Sequence, residues 1–266
     1  MSKKRIDILL VDMGLCDSRE KARARIMSGD VYIDGQRALK PGQNVDESSR
    51  VELTGGKPEF VSRGGYKLDK ALRDFDVSPE GKICIDCGAS TGGFTDCLLK
   101  NGAVKVYSVD VGYGQLAWSI RTDPRVVVME RTNIRHVTRE QIPDEPELAV
   151  IDVSFISLRL VLPVVNALLR DKGTVLCLIK PQFEAGRENV GKNGVVRDRK
   201  VHIQVLEDFL SNAHDAGFYI QNLTYSPIKG PKGNIEYLAH LISGEGEDFI
   251  PDIVELVDRS HRELDV

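Results

Sequence analysis

The chain has 266 residues, of which 41% are hydrophobic and 29% charged, and its formal net charge is −4. Such a chain can hold one large domain, or a small domain joined to a larger one. No run approaches the roughly 20 apolar residues that span a bilayer, and the start of the chain lacks a cleavage-site pattern, so we expect a cytoplasmic protein without membrane association.

The charge is distributed unevenly along the chain. Residues 243–266 contain eight acidic residues against two arginines, a local balance of −6 that leaves +2 on the remainder. A mildly basic body with an acidic end can still bind phosphate groups through local basic patches. The net charge therefore does not exclude a nucleic acid as a partner.

The five cysteines are an odd number in a chain too long to be a small disulfide-stapled protein, so we expect reduced thiols. Cys84 and Cys87 have the spacing of half a zinc site, but residues three apart on a strand point to opposite faces. No second Cys or His pair accompanies them. We therefore expect no metal site.

The first segment, residues 1–54, has the pattern of a small α+β unit. Helical spacing of apolar residues, capping residues and glycine stops predict two helices, and short β-branched runs predict two strands. The predicted order is a helix Ile6–Met13 ended by Gly14, a helix capped by Asp17 or Ser18 and ended by Gly29, a strand Val31–Ile33, a turn Asp34–Gly35 and a strand Val51–Leu53.

The second predicted helix is basic. It carries Arg19, Lys21, Arg23 and Arg25 against a single acid, Glu20. A charged helix face of this kind either is simply solvated or binds phosphate groups. The composition alone leaves both interpretations open.

A motif pattern in this segment resembles that of an S4 RNA-binding domain. The matching residues are Arg5-x-Asp7, Gly14, Ser18-Arg19-x-x-Ala22, Gly29-x-Val31-x-Ile33-Asp-Gly35 and Lys40-Pro41. The resemblance implies that the basic helix docks on structured RNA. The RNA contacts it implies are Arg5, Arg19, Arg23 and Arg25.

Beyond residue 54 the pattern changes. Gly55-Gly-Lys-Pro58 predicts a linker over residues 55–62. Residues 63–244 then alternate strands with helices, which favours an α/β fold with a mostly parallel sheet covered on both faces. The predicted strands are 82–86, 104–109, 126–128, 148–152 and 174–179, followed by a helical stretch 200–216 and a final antiparallel pair, 218–223 and 235–242. Residues 245–266 remain as an acidic C-terminal segment.

A glycine-rich turn follows the first of these strands. Glycines allow the backbone to approach a ligand closely, and the following helix offers free N–H groups. The spacing is not the dinucleotide-binding fingerprint, so an ordinary strand-to-helix turn is the alternative. Asp110 ends the second strand, where an acid can bind both ribose hydroxyls of a nucleoside cofactor.

This segment, Asp86-Cys-Gly88-Ala-Ser90-Thr-Gly92-Gly93-Phe94-Thr95 with Val109-Asp110-Val-Gly-Tyr-Gly114, resembles the S-adenosylmethionine site of ribosomal RNA 2′-O-methyltransferases. The resemblance implies a Rossmann-like S-adenosylmethionine-dependent methyltransferase domain. The cofactor contacts it implies are Asp86, Gly88, Ser90, Gly92, Gly93, Phe94 and Asp110. Asn133, past the third strand, is expected at the adenine edge or is an ordinary turn asparagine.

Four charged residues, Lys67, Asp152, Lys180 and Glu236, form the Lys-Asp-Lys-Glu set that a ribose 2′-O-methyltransferase needs. A ribose hydroxyl is a very weak acid, so its methylation requires a base, and a lysine is a base only when it is neutral. Asp152 and Lys180 end the fourth and fifth strands, at the edge where α/β sheets bind ligands. Two structural ion pairs are the alternative interpretation. Three nearby residues are set aside as bystanders: Lys70, Glu184 and Lys232.

The chain from end to end resembles the TlyA family. Beside the S4 segment and the glycine loop, the matching motifs are Ser62-Arg63-Gly64-Gly65-Tyr66-Lys67, Val150-Ile-Asp-Val-Ser-Phe155, Ile179-Lys-Pro-Gln-Phe183 and Gly230-Pro-Lys-Gly-Asn-Ile-Glu236. Members are cytidine 2′-O-methyltransferases of ribosomal RNA and also carry the label hemolysin A. The resemblance implies ribosomal RNA or ribosomal subunits as the partner and Lys180 as the central catalytic lysine. Phe60 departs from the tryptophan of some members.

The segment between Gln182 and Lys200 is rich in glycine and basic residues. It either clamps RNA phosphates, with Arg187 and Arg197 as contacts, or is a mobile solvated loop.

Three rival functions differ in class. A secreted or membrane-active hemolysin would need a signal peptide, a spanning helix or amphipathic strands, and the sequence supports none of them. A noncatalytic RNA-binding or ribosome-assembly factor would retain the fold without methyl transfer. A nicotinamide-dependent oxidoreductase is disfavoured by the glycine spacing.

Overall fold

A computed structural model describes residues 3–53 and 59–264. The chain divides into two compact units, Met1–Arg63 and Gly64–Val266. The linker motif at residues 55–58 lies outside the described residues, and so do residues 54 and 265. Within the described ranges, no helix is long and apolar enough to cross a membrane.

The first unit contains two helices and short strands. Ser18 begins the second helix, because its Oγ accepts a hydrogen bond from Lys21 N at 3.2 Å, and Gly29 ends it with a φ of +83°. The elements are β1 (Lys3–Arg5), α1 (Ile6–Asp12), α2 (Arg19–Ser28), β2 (Val31–Ile33), β3 (Gln36–Arg37), β4 (Asn44–Asp46) and β5 (Val51–Leu53). The predicted helices and strands are present, and the two- and three-residue strands β1, β3 and β4 were not predicted.

The strands of this unit form two small sheets. β2 lies between β3 and β5, and β1 pairs with β4. Ile6, Leu10, Ala22 and Val31 are fully buried between these elements. The apolar stripe of each helix therefore faces inward, and the charged residues of α2 other than Arg25 are left on the outer surface.

The second unit is a helix-covered sheet. Its helices are α3 (Gly64–Asp74), α4 (Gly93–Lys100), α5 (Trp118–Arg121), α6 (Leu162–Leu168), α7 (Pro181–Glu184), α8 (Arg199–Asp215) and α9 (Ile253–Leu264). Its strands are β6 (Ile83–Cys87), β7 (Lys105–Val109), β8 (Val126–Met129), β9 (Leu148–Ile151), β10 (Thr174–Ile179), β11 (Phe218–Tyr225) and β12 (Tyr237–Ser243). Short 3-10 turns lie at Ile134–His136, Leu158–Leu160, Arg187–Asn189 and Lys192–Gly194.

The strand order across the sheet is β11-β12-β10-β9-β6-β7-β8. β12 is antiparallel to both β10 and β11, and the other neighbours are parallel. All four residues of β9 are fully buried, as expected of a central strand covered on both faces. The predicted α/β class and the antiparallel final pair are confirmed.

The acidic C-terminal segment contains a helix that the sequence analysis did not identify. Leu256 and Val257 of α9 are buried in the core of the second unit, and Arg199 of α8 lies 2.9 Å from Asp258 in an ion pair. The apolar residues of α9 recur at three- and four-residue spacing. The segment packs through this stripe although its composition is mostly acidic.

Candidate active site

The predicted catalytic residues meet at one edge of the sheet because of strand order. The antiparallel ladder of β10 and β12 ends with Ile179 opposite Tyr237, so Lys180 and Glu236 are the next pair beyond it. On the other side of β10, the parallel pairing of β9 and β6 ends with Ile151 beside Cys87. Asp152 therefore lies next to the glycine loop, and its N donates to Cys87 O at 2.9 Å.

Lys180 contacts three oxygen atoms. Its Nζ lies 2.6 Å from Asp152 Oδ1 in an ion pair and donates to Val153 O at 2.9 Å and to Ser154 Oγ at 3.0 Å. The residue is 8% exposed. The ammonium group is therefore held by two hydrogen bonds and one ion pair, although Asp152 Oδ1 accepts no hydrogen bond of regular geometry from the described part of the chain.

The second lysine has its own carboxylate. Lys67 Nζ donates to Glu236 Oε2 at 2.6 Å, and both side chains are buried. Gly230 lies against the other carboxylate oxygen, so a side chain at this position would collide with Glu236 Oε1. Two ion pairs therefore lie at this edge of the sheet. The pair of Lys67 from α3 with Glu236 is buried, and the pair of Lys180 with Asp152, at the ends of β10 and β9, is partly exposed through Asp152.

The glycine loop requires residues without side chains. Gly88 has a φ of +91°, and a Cβ there would lie 2.7 Å from Asp152 O. Gly92 has a φ of +96° and precedes Gly93, the first residue of α4. Phe94 is 4% exposed and is part of the core, and its contact with a cofactor remains a prediction. The glycine-loop backbone thus lies close to Asp152, beside the predicted catalytic residues.

Asp110 stabilises the glycine loop through a hydrogen bond to the loop backbone. Its Oδ2 accepts from Ser90 N at 2.8 Å and its Oδ1 from Gly112 N at 2.6 Å. Ser90 has a φ of +48°, which this hydrogen bond helps to maintain. Each carboxylate oxygen keeps a further acceptor site. The arrangement therefore fits a ligand that presents two adjacent hydroxyl groups, as a ribose does.

Asp86 carries an unsatisfied oxygen at the same edge. The residue is fully buried, and its Oδ2 accepts from Thr95 Oγ1 at 2.6 Å. Oδ1 has no hydrogen-bond partner among the described residues. Burial raises the pKa of Asp86 to about 7. A buried acceptor left open in this way fits a ligand that brings a donor or a positive charge.

Asn133 is used locally. Its side chain accepts a hydrogen bond from Arg135 N at 3.1 Å and so caps the turn Ile134–His136. This is the role of an ordinary turn asparagine, the alternative considered from the sequence. Its contact with an adenine remains a prediction.

The arginines of the S4 segment differ in their surroundings. Arg5 donates to both oxygens of the buried Asp7 at 3.0 and 2.9 Å, and Arg19 joins the same carboxylate at 3.1 Å. These guanidinium groups lower the pKa of Asp7 to about 2, and Arg5 has the larger effect. Arg23 is exposed. The side chain of Arg25 is only 13% exposed and lies 3.6 Å from Asp30.

The basic segment after β10 is docked against the second unit. Arg187 and Arg197 are exposed, but the backbone between them is held by the buried Asn234, which donates to Gly194 O at 2.9 Å and accepts from Val196 N at 3.0 Å. Val196 is itself 3% exposed. The structure thus shows a docked segment with exposed arginines, and Asn234 was not identified from the sequence.

An aromatic pair beside Lys180 was also missed. Phe155 is 90% exposed and has a φ of +64°, a region that a bulky residue seldom occupies. Its ring centroid lies 5.0 Å from that of Phe183, whose ring centroid is 5.9 Å from Lys180 Nζ. No local sequence signal marks a left-handed phenylalanine, so only the fold reveals it.

Family models match both units. The FtsJ-like methyltransferase model matches residues 60–242, and the S4 domain model matches residues 4–51.

Several curated proteins and solved structures are similar to this chain over most of their length. YqxC of Bacillus subtilis, a proposed rRNA methyltransferase, is 52% identical, and the alignment covers 98% of this chain and 95% of YqxC. Two others are 44% identical over 90% of this chain: Hemolysin A of Brachyspira hyodysenteriae, 99% of which is covered, and the 16S/23S rRNA (cytidine-2′-O)-methyltransferase TlyA of Mycobacterium tuberculosis, 90% of which is covered. The structure of a proposed hemolysin from Streptococcus thermophilus superimposes with a TM-score of 0.78 at 47% identity, covering all of this chain and 98% of the other.

Proposed function

The chain belongs to the TlyA family of FtsJ-like methyltransferases with an S4 domain, and we propose that it transfers a methyl group from S-adenosylmethionine to the 2′-hydroxyl of a cytidine in ribosomal RNA. The observation that carries the proposal is the pair of lysine–carboxylate contacts, Lys180 with Asp152 and Lys67 with Glu236, at the sheet edge that also bears the glycine loop. A binding factor would have no need for two buried lysines beside a glycine loop and carboxylates that suit a nucleoside.

The cofactor contributes an electrophilic methyl group on a sulfonium. Gly88 would let the backbone of this chain approach the bound cofactor closely. The carboxylate of Asp110 would accept hydrogen bonds from the ribose hydroxyls of the cofactor, and the open oxygen of Asp86 would accept one from its amino group. Asp110 is two strands from Asp152 in the sheet, or about 10 Å. This spacing lets one nucleoside-sized ligand reach from the ribose contact to the catalytic pair.

The proton of the ribose hydroxyl passes to Lys180 Nζ when this lysine is neutral. The ammonium that results is the form that the shell of Asp152, Val153 O and Ser154 Oγ holds. Asp152, with a side chain 19% exposed, connects that ammonium to solvent, where the proton leaves before the next turnover. Lys67 and Glu236 orient the ribose from the neighbouring strand.

RNA is held at two places. The exposed guanidinium groups of the S4 segment contact phosphates, and Arg187 and Arg197 do so beside the catalytic edge. The exposed ring of Phe155 is a stacking surface for the target base, since single-stranded bases are recognised by aromatic side chains in this way. Methylation of a ribose inside a paired helix would not require such a surface.

Methyl transfer from tritiated S-adenosylmethionine to ribosomal RNA lacking the modification tests the proposal, with 2′-O-methyl mapping to locate the product. We expect incorporation at cytidine with the unaltered chain and none with Lys180→Ala. RNA binding without incorporation would favour a noncatalytic factor. Incorporation on a base rather than a ribose would contradict the assigned chemistry.

A further inference from the structure

The loop between β9 and the turn Leu158–Leu160 is held at both ends by side chains of a single helical turn. At one end Lys180, which precedes α7, donates to Val153 O at 2.9 Å and to Ser154 Oγ at 3.0 Å. At the other end Glu184, the last residue of α7, accepts from Ser157 Oγ at 2.6 Å and from Leu158 N at 2.9 Å. Phe155 lies between the two attachments.

Phe155 is in a conformation that the loop would not adopt by itself. A left-handed backbone is unfavourable for a residue with a Cβ, and such conformations persist only when the surrounding structure holds them. At Phe155 the φ is +64°. Its ring gains little from burial, because it is 90% exposed and touches Phe183 on one side. The strain is therefore maintained by the attachments on either side of it.

The Glu184 carboxylate is a costly way to provide one of these attachments. Burial raises the pKa of Glu184 above its usual range. Among the described residues no cation lies within ion-pairing distance of it, although Arg159 stabilises its charge from farther away, and both of its oxygens accept hydrogen bonds from Ser157 and Leu158. A neutral side chain could cap the turn with a smaller desolvation penalty. What the carboxylate adds is two simultaneous, charge-assisted hydrogen bonds that fix the loop in one position.

We propose that Glu184 is a positioning residue for substrate recognition: it holds Ser157 and Leu158 so that Phe155 projects beside Lys180 as the surface on which the target nucleobase stacks. The inference rests on the proposed function and deepens it, because it assigns a role in RNA recognition to a residue that touches neither substrate nor cofactor. The target is then a nucleotide whose base is unstacked from its neighbours.

A double-mutant cycle tests this coupling. The variants are Glu184→Ala, Phe155→Ala and the double substitution, with Glu188→Ala, an exposed acid of the same segment, as the matched control. The readouts are kcat and KM for methylation of ribosomal RNA, the Kd for S-adenosylmethionine by calorimetry, and the thermal midpoint of each variant.

We expect Phe155→Ala and Glu184→Ala each to lower kcat/KM for RNA by about tenfold, within the range of coupled neighbouring residues. In the Phe155→Ala background, Glu184→Ala should lower kcat/KM further by less than about twofold. The Kd for the cofactor should stay within about twofold throughout, and Glu188→Ala should behave as the unaltered chain. If Glu184→Ala does not fold, Glu184→Gln, which keeps the shape and one acceptor, takes its place in the cycle.

Two results would overturn the inference while leaving the proposed function intact. The first is that Glu184→Ala lowers kcat/KM for RNA as much in the Phe155→Ala background as in the unaltered chain. Glu184 would then be a general structural residue. The other is normal methylation by Phe155→Ala, which would remove the stacking role. If the unaltered chain transfers no methyl group to RNA, the proposed function fails, and the inference fails with it.

Discussion

Lys67 and Glu236 lie 169 positions apart in the chain and are joined by a hydrogen bond of 2.6 Å between Nζ and Oε2. The contact links helix α3, which precedes the sheet, to the start of its last strand. Lys180 and Asp152 form a second such contact beside it. Each buried charge is therefore compensated by its own partner, and substitution of one partner has consequences that substitution of both does not.

Removal of Glu236 alone should destabilise the second unit. Glu236→Ala leaves the ammonium of Lys67 buried without its carboxylate, at a cost of about 3–5 kcal/mol in unfolding free energy. Lys67→Met in the same chain should recover most of this loss, because the uncompensated charge is then gone. Urea unfolding followed by circular dichroism measures both. A double variant no more stable than Glu236→Ala would show that the pair is not the source of the effect.

Substitution of Lys180 should abolish catalysis and spare ligand binding. Lys180→Ala should lower the methylation rate by about 100-fold or more, the lower end for a missing general base. Lys180→Arg should fail as well, because a guanidinium stays protonated. The assay is tritium transfer to ribosomal RNA, with Lys192→Ala, an exposed lysine, as the control. Turnover near normal in either Lys180 variant would remove this residue from the chemistry.

Gly88 should tolerate no side chain. Gly88→Ala combines a φ of +91° with a Cβ placed 2.7 Å from Asp152 O. The matched control is Gly81→Ala, where φ is +70° but the added Cβ meets open space. Both variants carry the backbone strain of about 1–2 kcal/mol, and only Gly88→Ala adds a collision with backbone. We expect lower stability and weaker cofactor binding for Gly88→Ala than for Gly81→Ala, and equal values would contradict the close approach.

Arg23 and Arg25 should respond differently to substitution. Arg23 is exposed, so Arg23→Ala should weaken RNA binding and reduce the slope of log K against log salt by about 1. The side chain of Arg25 is 13% exposed beside Asp30, so Arg25→Ala should lower the stability of the first unit instead. Filter binding across salt concentrations and thermal unfolding distinguish the two. If Arg23→Ala leaves the salt slope unaltered, Arg23 is a solvated surface residue that does not contact RNA.

Asp86 should make stability fall as pH rises through a defined window. Its pKa is raised from 3.8 to about 7 in the folded state. Between these values the folded state holds a proton that the unfolded state has released, so the folded state loses stability with rising pH, by at most about 4 kcal/mol. Above pH 7 the contribution is constant. Asp86→Asn, which can still accept from Thr95, should remove this component.

Urea unfolding of both proteins between pH 4.5 and 8 checks the Asp86 prediction. The expected observation is a growing advantage of Asp86→Asn over the unaltered chain as pH increases to about 7. A constant difference across that range would mean that Asp86 does not titrate within it.

Local patterns in the sequence determined most of the elements. Ser18 and Gly29 bound α2 because capping and left-handed termination depend on a few neighbouring residues. The same holds for the alternation of strands and helices that predicted the α/β fold. Where charge dominated the composition, as in α9, the apolar stripe of Leu256 and Val257 was overlooked although it was present in the sequence.

Residue types and family motifs also predicted the four charged residues of the site, but they did not predict which lysine pairs with which acid. Two lysines and two acids can pair in more than one way. The strand order β12-β10-β9 places Lys180 between Glu236 and Asp152, and only the side-chain contacts of the assembled unit pair Lys180 with Asp152 and Lys67 of α3 with Glu236. The left-handed φ of Phe155 and its support by Glu184 also depend on the tertiary structure. Periodicity and capping act over a few residues, whereas these contacts join segments that meet only after the sheet has assembled.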